Sequence, residues 1–158
     1  MAKRILRVYA DTSVFGGVFD EEFSDASRTF FDQVRAGRFS LVSSSVVRRE
    51  VALAPAHVQE FFWSTEAQME VLEVEEAAVA LQAEYLRAGI VASKWAADAL
   101  HVALATASGC SLIVSWNFAH IVHFDKIPLY NAVNTIMGHA AIAIHSPLEV
   151  IGHEDENL

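Results

Sequence analysis

The sequence predicts an α/β fold, a three-layer α/β/α sandwich with a mainly parallel central sheet. Short apolar runs alternate with helical segments along the chain, which is the pattern of such folds. Polar residues follow two of these runs: Asp11-Thr12-Ser13 comes after residues 5–10, and Ser115-Trp116-Asn117 comes after residues 112–114. Open α/β sheets build their sites where strands end, so these two segments are the first candidates for function.

Helix and strand signals predict the elements in order. Serines at 24, 43–45 and 93 can cap helices, and glycines at 37, 89 and 109 are typical of helix ends. We predict strands at residues 5–10, 39–42, 69–74, 112–114 and 140–144, with a weaker one at 127–130. We predict helices at residues 24–36, 45–55, 56–64, 75–88, 94–108 and 130–137, with a loop or short helix at 12–24.

Length and composition favour one soluble-type domain. The 158 residues fit one domain, which we place at 1–151 with an acidic tail at 152–158. Hydrophobic residues make up 53%, above the usual value of about 45–50%, which could leave apolar surface for a partner. The single Cys110 excludes an internal disulfide and suits the cytoplasm. The basic start lacks an apolar run, so we expect neither a signal peptide nor a membrane span.

The net charge of −9 argues against general nucleic-acid binding, because that binding rests on Lys and Arg neutralising phosphates. A protein of this charge needs a local basic patch or bound cations to act on a polyanion. Arg48, Arg49 and Lys94 could contact phosphate, although ordinary solvated charges explain them as well.

Three acids stand in apolar surroundings. Asp11 ends the first strand, and Glu50 lies four positions after Val46, on the apolar side of its helix. Asp98 lies in an alanine-rich helix, one turn before His101. A buried carboxylate is costly unless it is paired, and parallel strands bring their carboxyl ends to one edge. We therefore expect the three acids and the amide of Asn117 to form one cluster.

Clustered carboxylates repel one another, and hard divalent cations relieve that repulsion. Mg²⁺ prefers oxygen ligands and commonly takes one or two carboxylates, several waters and substrate phosphate. The sequence has no cysteine cluster and no histidine pair with zinc spacing near these acids, which favours Mg²⁺ or Mn²⁺ over zinc. Such a metal can activate water and shield the charge of a phosphodiester.

These motifs resemble the PIN-domain family, in particular the VapC-like toxins of bacterial toxin–antitoxin pairs. The resemblance spans about residues 5–130. It rests on Asp11-Thr12-Ser13 after the first strand, Glu50 on an early helix, residues 97–105 on a late helix and Ser115-Trp116-Asn117-Phe118 after the following strand. It implies a parallel α/β/α sandwich and Mg²⁺- or Mn²⁺-dependent endonucleolytic cleavage of RNA. It also implies a cytoplasmic homodimer that a small antitoxin protein binds and inhibits.

The resemblance also assigns roles to residues. Asp11, Glu50 and Asp98 match the three core acids, which are catalytic and hold the metal. Asn117 stands where the family often has a fourth Asp, so it is a catalytic candidate that brings no charge, and a second metal is in doubt. The supporting hydrogen-bonding residues are Thr12, Ser13 and Ser115.

Other interpretations remain open at this stage. The chain could be a PIN-like binding module that has lost catalysis, which its acidity and Asn117 favour. Asp11 could instead be an aspartyl nucleophile for phosphoryl transfer, although no supporting motif is evident. Asn117 could be a turn residue. His101 could act as an acid or base, but a hydrogen-bonded structural histidine is the more common case. For Trp63, Trp95 and Trp116, we favour a core or interface role over base stacking.

Overall fold

A computed structural model describes residues 5–152 and contains a five-stranded, fully parallel sheet in the order β3-β2-β1-β4-β5. The predicted α/β fold with a parallel central sheet is confirmed. The strands are β1 (Leu6–Ala10), β2 (Phe39–Ser44), β3 (Met69–Leu72), β4 (Leu112–Val114) and β5 (Ala143–His145).

β1 is the centre of the sheet. It pairs with β2 on one side, where Tyr9 lies opposite Val42, and with β4 on the other, where Ala10 lies opposite Val114. A strand that is covered on both faces has a continuous apolar sequence. β1 fits this rule, because Val8, Tyr9 and Ala10 are fully buried. Asp11, the next residue, therefore enters the structure at the middle of the carboxyl edge.

Among residues 5–152, eight α-helices cover the two faces of the sheet. α5 packs on α6 and α7, whereas α1 packs on α2, α3 and α4, and α8 packs on α2. The helices are α1 (Thr12–Gly17), α2 (Ser24–Arg35), α3 (Ser45–Val51), α4 (Ala56–Thr65), α5 (Glu76–Arg87), α6 (Ala96–Ala107), α7 (Ile127–Ile136) and α8 (Pro147–Val150).

Most predicted elements are found, although several bounds differ. The strand predicted at 69–74 ends at Leu72, and the helix predicted at 45–55 ends at Val51. The weak strand predicted at 127–130 is wrong, because these residues open α7, where Pro128 fits the first turn of a helix. The last strand covers Ala143–His145 rather than 140–144. Ser93 does not cap α6 directly, since a 3-10 turn at Ser93–Trp95 precedes it.

The predicted serine cap before α3 is confirmed. Ser44 has extended backbone angles, and its hydroxyl accepts the amide hydrogen of Val47 at 3.2 Å. The predicted tail at 152–158 lies outside the described residues except for Gly152. Within residues 5–152, no helix is long and apolar enough to cross a membrane.

Candidate active site

Two polar segments lie side by side at the carboxyl edge of the sheet. Ala10 and Val114 are paired across β1 and β4, and the amide of Asp11 donates to the carbonyl of Val114 at 3.3 Å. Ser115 follows Val114, and its own amide donates to the carbonyl of His145 at 3.1 Å. The register of the two central strands therefore sets Asp11 and Ser115 next to each other.

The carboxylate of Asp11 is held by two hydroxyls. Ser13 Oγ donates to Oδ1 at 2.5 Å, and Ser115 Oγ donates to Oδ2 at 2.7 Å. Each serine oxygen in turn accepts a backbone amide, from Trp116 for Ser13 and from Asn117 for Ser115, both at 2.9 Å. A hydroxyl has one hydrogen to give, and the accepted amides leave that hydrogen directed at Asp11.

Burial makes Asp11 an energetically unfavourable anion. Its exposed fraction is only 4%. Burial raises the pKa of Asp11, while the positive charge of His101 and the hydrogen bonds from Ser13 and Ser115 act in the opposite direction. The charge of Glu50 adds to the increase. The Asp11 carboxylate, at the centre of the sheet edge, would therefore be stabilised by a positive charge in addition to that of His101.

Glu50 reaches the same region from α3. Val46, Val47 and Val51 bury the helix against the domain, and Glu50 lies half-buried at the rim of that face, as its spacing predicts. Its Oε1 accepts hydrogen bonds from Thr12 Oγ1 and, at 2.9 Å, from His101 Nε2. Its second carboxylate oxygen accepts none from the described residues, so it is available to a ligand.

His101 is a buried link between the acids and the sheet. Its Nδ1 lies 2.8 Å from the hydroxyl of Tyr9, which also lies 2.8 Å from Ser44 Oγ. Burial alone would lower the pKa of His101, but the hydrogen bond to Glu50 and the charges of Asp11, Glu50 and Asp98 raise it. Burial keeps the pKa of Tyr9 well above its usual value, so the phenol stays neutral.

The 2.9 Å contact between Glu50 and His101 favours the charged form of both groups. Burial alone would raise the pKa of Glu50, but the hydrogen bond and charge of His101 and the hydrogen bond from Thr12 outweigh it and hold that pKa below its usual range. The pKa of Glu50 is lowered and the pKa of His101 is raised. These two shifts are consistent, because each group stabilises the charged form of the other.

Asp98 lies in the first turn of α6, one turn before His101. Its side chain is half-buried rather than sunk into the apolar surface, and no hydrogen bond or ion pair from residues 5–152 engages its carboxylate. Its charge nevertheless raises the pKa of both His101 and Tyr130. Asp98 is thus an unpaired acid on the His101 side of the cluster.

The three predicted acids surround one imidazole rather than forming a tight three-acid cage. Within the described residues, no three His, Cys, Asp or Glu side chains are grouped closely enough to hold one metal ion. The donor chemistry nevertheless fits a hard cation, since the free oxygens are carboxylate oxygens. Mg²⁺ commonly takes one or two carboxylates and keeps its other positions for water and phosphate, so a three-acid cage is not required.

Asn117 serves the turn that follows β4. Its Oδ1 accepts the amide hydrogen of His120 at 3.0 Å, and its carbonyl accepts the amides of Ile121 and Val122. This is the role of a turn and helix-start residue, one of the two interpretations left open by the sequence. Its backbone amide also supports Ser115, so the residue contributes to the site through its main chain.

The cations around the site fall into two groups. Arg48 is committed to Glu66, with nitrogen–oxygen distances of 2.9 and 3.1 Å. Arg49 and Lys94 have no ion-pair or hydrogen-bond partner in the described part of the chain. Arg49 lies on α3 beside Glu50, and Lys94 lies on the turn that leads into α6, the helix of Asp98.

Arg49, Glu50 and Leu53 line an open groove of about 410 Å³ together with Ala97 and Leu100 of α6.

Comparison with known proteins identifies the fold class. One chain of the crystal structure of VapBC2 from Rickettsia felis, bound to a DNA fragment from their promoter, superposes with a TM-score of 0.60 at 12% identity, covering 89% of this chain and 98% of that one. A chain of FitAcB from Neisseria gonorrhoeae superposes with a TM-score of 0.57 at 15% identity, covering 90% of this chain and 99% of that one. No family profile and no curated protein matches the chain by sequence. The likeness therefore shows a shared PIN-like α/β fold.

Sequence reasoning did not find two supporting residues, Tyr9 and Ser44. Tyr9 lies inside the apolar run of β1 and gives no separate signal, although side chains two apart on a strand point to the same face, as Tyr9 and Asp11 do. Ser44 was predicted only as a helix cap. For His101 the structural interpretation is supported, since both ring nitrogens lie within hydrogen-bond distance of protein oxygens.

Proposed function

We propose that this protein is a metal-dependent endoribonuclease that cleaves RNA phosphodiester bonds and acts as the toxin of a type II toxin–antitoxin pair. The observation that supports it most is the convergence of Asp11, Glu50 and Asp98 around His101. Glu50 Oε1 lies 2.9 Å from His101 Nε2, and Asp98 lies one turn before His101 on α6. Asp11 comes two positions after Tyr9, whose hydroxyl lies 2.8 Å from His101 Nδ1. Asp11 and Glu50 are 39 positions apart along the chain, and Glu50 and Asp98 are 48 positions apart. A structural role alone does not require acids from three elements to meet.

Mg²⁺ or Mn²⁺ would be held by Asp11, Glu50 and Asp98, and it would supply activation of water and charge stabilisation at the phosphodiester. The chain's own residues prepare these carboxylates. Ser13 and Ser115 fix both oxygens of Asp11, and Thr12 fixes one oxygen of Glu50. In this proposal Asn117 orients the loop, and its side chain adds no charge.

His101 positions Glu50 and offsets the negative charge of the cluster. Its hydrogen bond holds Glu50 Oε1, while the phenol of Tyr9 fixes the other side of the ring. Arg49 and Lys94 would meet the RNA backbone, because neither has an ion-pair or hydrogen-bond partner in the described region. A chain of net charge −9 needs such local cations to approach a polyanion.

The proposed partners follow from the same assignment. We propose a homodimer in the cytoplasm that is inhibited by a small antitoxin protein. The match of fold to a chain from VapBC2, whose structure includes a promoter DNA fragment, supports a search for such a partner. Purification after co-expression with the neighbouring short reading frame tests the partner, and light scattering tests the dimer.

The direct test is Mn²⁺-dependent cleavage of total RNA by the purified protein. The proposal expects cleavage by the wild type, none in EDTA, and none by Asp11→Asn or Asp98→Asn variants that keep the wild-type circular dichroism spectrum. Unchanged cleavage in EDTA or by either variant would contradict it. Arg35→Gln is a matched control, since it removes only an exposed ion pair with Asp32.

A second candidate is a PIN-like module that has lost catalysis and acts through protein binding. It is favoured by the engagement of Asn117 Oδ1 in a turn and by the lack of a three-ligand metal group among the described residues. Calorimetry with Mn²⁺ discriminates between the two. Absence of binding at millimolar Mn²⁺ favours the module, whereas binding that is lost in Asp11→Asn favours the nuclease.

A further inference from the structure

A stacked pair of aromatic rings lies beside the acids. The indole of Trp95 and the imidazole of His120 have centroids 4.5 Å apart and planes inclined by 25°, and the ammonium of Lys94 lies 5.3 Å from the centre of the Trp95 ring. We call these three residues the Trp95 platform. Trp95 keeps 40% of its surface exposed, so a flat ligand can reach the ring once the flexible Lys94 side chain moves from its place over the indole.

Both ends of the platform are joined to predicted site residues. Trp95 ends the 3-10 turn that leads into α6, and Asp98 follows three positions later in the first turn of that helix. His120 donates its backbone amide to Asn117 Oδ1, and its carbonyl accepts the hydroxyl of Tyr130 at 2.7 Å. The platform therefore has a fixed position on the carboxyl side of the sheet, next to the acid cluster.

Two polar groups of the platform have no hydrogen-bond or ion-pair partner among residues 5–152, although the Lys94 ammonium lies over the Trp95 ring. Lys94 has no carboxylate partner among residues 5–152. The buried Nδ1 of His120 has no hydrogen-bond partner there either, so the ring is held by stacking and by the backbone of its own residue. An exposed tryptophan with an unpaired cation beside it is the composition of single-strand binding surfaces, where bases stack on aromatic rings and cations follow the backbone.

We propose that the Trp95 platform binds one unpaired nucleobase of the RNA substrate by stacking, with Lys94 contacting an adjacent phosphate. This inference rests on the proposed ribonuclease function and adds a subsite, Trp95 with Lys94, for an unpaired base next to the scissile bond. The acid cluster repels the RNA backbone, so a contribution that does not depend on phosphate charge would strengthen binding there. Base stacking provides it.

The test separates base stacking from phosphate binding. The full-length protein is held in EDTA, which prevents the proposed cleavage, and is titrated into two fluorescently labelled probes of equal length, roughly 12 nucleotides. One probe is single-stranded RNA of mixed sequence, and the other is an abasic strand that keeps the phosphates. The variants are Trp95→Ala, Trp95→Phe and Lys94→Ala. Trp63→Ala is the matched control, because Trp63 is exposed on α4, a helix that carries none of the predicted site residues.

The platform predicts that Trp95→Ala weakens binding of the RNA probe by about fivefold to a hundredfold and leaves binding of the abasic probe unchanged. Trp95→Phe keeps a ring and should lose less than Trp95→Ala, which keeps the test valid if the alanine variant folds poorly. Lys94→Ala should weaken both probes and reduce the salt dependence of binding by about one unit. Trp63→Ala should match the wild type for both probes.

Three results would overturn the platform. Wild-type affinity of Trp95→Ala for the RNA probe, or an equal loss for the two probes, rules out stacking on Trp95 while leaving the proposed cleavage activity intact. If the wild type binds the RNA probe no better than the abasic probe, the platform is also wrong. If the wild type neither binds nor cleaves RNA in any condition, the proposed function fails with it.

Discussion

Ser115 Oγ donates a 2.7 Å hydrogen bond to Oδ2 of Asp11, although the two residues are 104 positions apart in the chain. The bond follows from the register of β1 and β4, which ends both strands at the same level. The serine oxygen also accepts the amide of Asn117, so the turn after β4 directs the hydroxyl at the buried carboxylate. This contact makes the orientation of Asp11 depend on the loop that follows β4.

Asp11→Asn tests the cost of that buried charge. Burial raises the pKa of Asp11, so ionising the group destabilises the folded state as the pH rises above the pKa of an unfolded Asp, about 3.9. The variant removes the charge and keeps the shape. One of the two accepting oxygens becomes an NH₂ group, which can donate to the free lone pair of the serine hydroxyl that faces it. We expect its melting temperature at pH 7.5 to equal or exceed that of the wild type, while cleavage and Mn²⁺ binding are lost. A lower melting temperature with retained cleavage would contradict this role.

The Glu50–His101 pair predicts how stability depends on pH. The raised pKa of His101 gives stability that is fully present below the pKa of an unfolded His, about 6.5, and is lost as the pH rises through the folded value. The lowered pKa of Glu50 gives stability that is present above the pKa of an unfolded Glu, about 4.3. This stability is lost as the pH falls through the pKa of Glu50 in the folded protein.

The difference in melting temperature between the wild type and His101→Gln should therefore be largest between about pH 4.3 and 6.5 and should shrink as the pH rises further. Glutamine keeps a donor but cannot carry the charge. Thermal melts across this range measure the difference. His57→Gln is a suitable control, since His57 packs against Phe19 and forms no ion pair with a described residue. A difference that grows with pH would contradict the pairing.

Two adjacent glycines in α1 give a matched pair of packing variants. A Cβ at Gly17 would lie 2.6 Å from Ser27 Oγ and 2.7 Å from Nε1 of Trp116, whereas a Cβ at Gly16 would meet nothing within 4 Å. We expect Gly17→Ala to destabilise the protein by about 1–3 kcal/mol and Gly16→Ala to be neutral or stabilising by about 0.5–1 kcal/mol. Chemical denaturation measures both values.

The same pair tests whether the core supports the site. The indole of Trp116 donates to Ser27, and its backbone amide donates to Ser13, which holds Asp11. A displacement of Trp116 should therefore reach the carboxylate. We expect Gly17→Ala to reduce RNA cleavage under conditions where it is still folded, with Gly16→Ala unaffected. Equal activity of the two variants would show that Trp116 does not transmit the change.

Asn117 variants separate the turn role from a charge role. Asn117→Ala removes the acceptor for the His120 amide, and loss of such a cap costs about 1 kcal/mol. Asn117→Asp keeps an acceptor and adds a negative charge near the acids. We expect the alanine variant to melt at a lower temperature and the aspartate variant to keep wild-type stability while binding Mn²⁺ more tightly. Equal Mn²⁺ affinity of all three forms would exclude Asn117 from the metal site.

The fold was largely predictable from the sequence, because the apolar run of β1 and the alternation of elements leave few arrangements. Asp11 and Glu50 were placed by local signals, namely the end of a buried strand and the spacing from Val46. The segment at 127–130 was misread because a short apolar run does not distinguish a strand from the first turn of a helix. The hydrogen bonds of Tyr9 to His101 and Ser44 were not predictable, since they join three elements whose relative positions only the fold sets.

The most direct test of the central claim is isothermal calorimetry with Mn²⁺, run in parallel with cleavage of total RNA, for the wild type and Asp98→Asn. Asp98 is the best choice because no described residue bonds to its carboxylate, so the exchange disturbs no hydrogen bond there. The account predicts that the wild type binds Mn²⁺ and cleaves RNA, and that the variant loses both while keeping its melting temperature. A variant that binds Mn²⁺ and cleaves RNA like the wild type would contradict it.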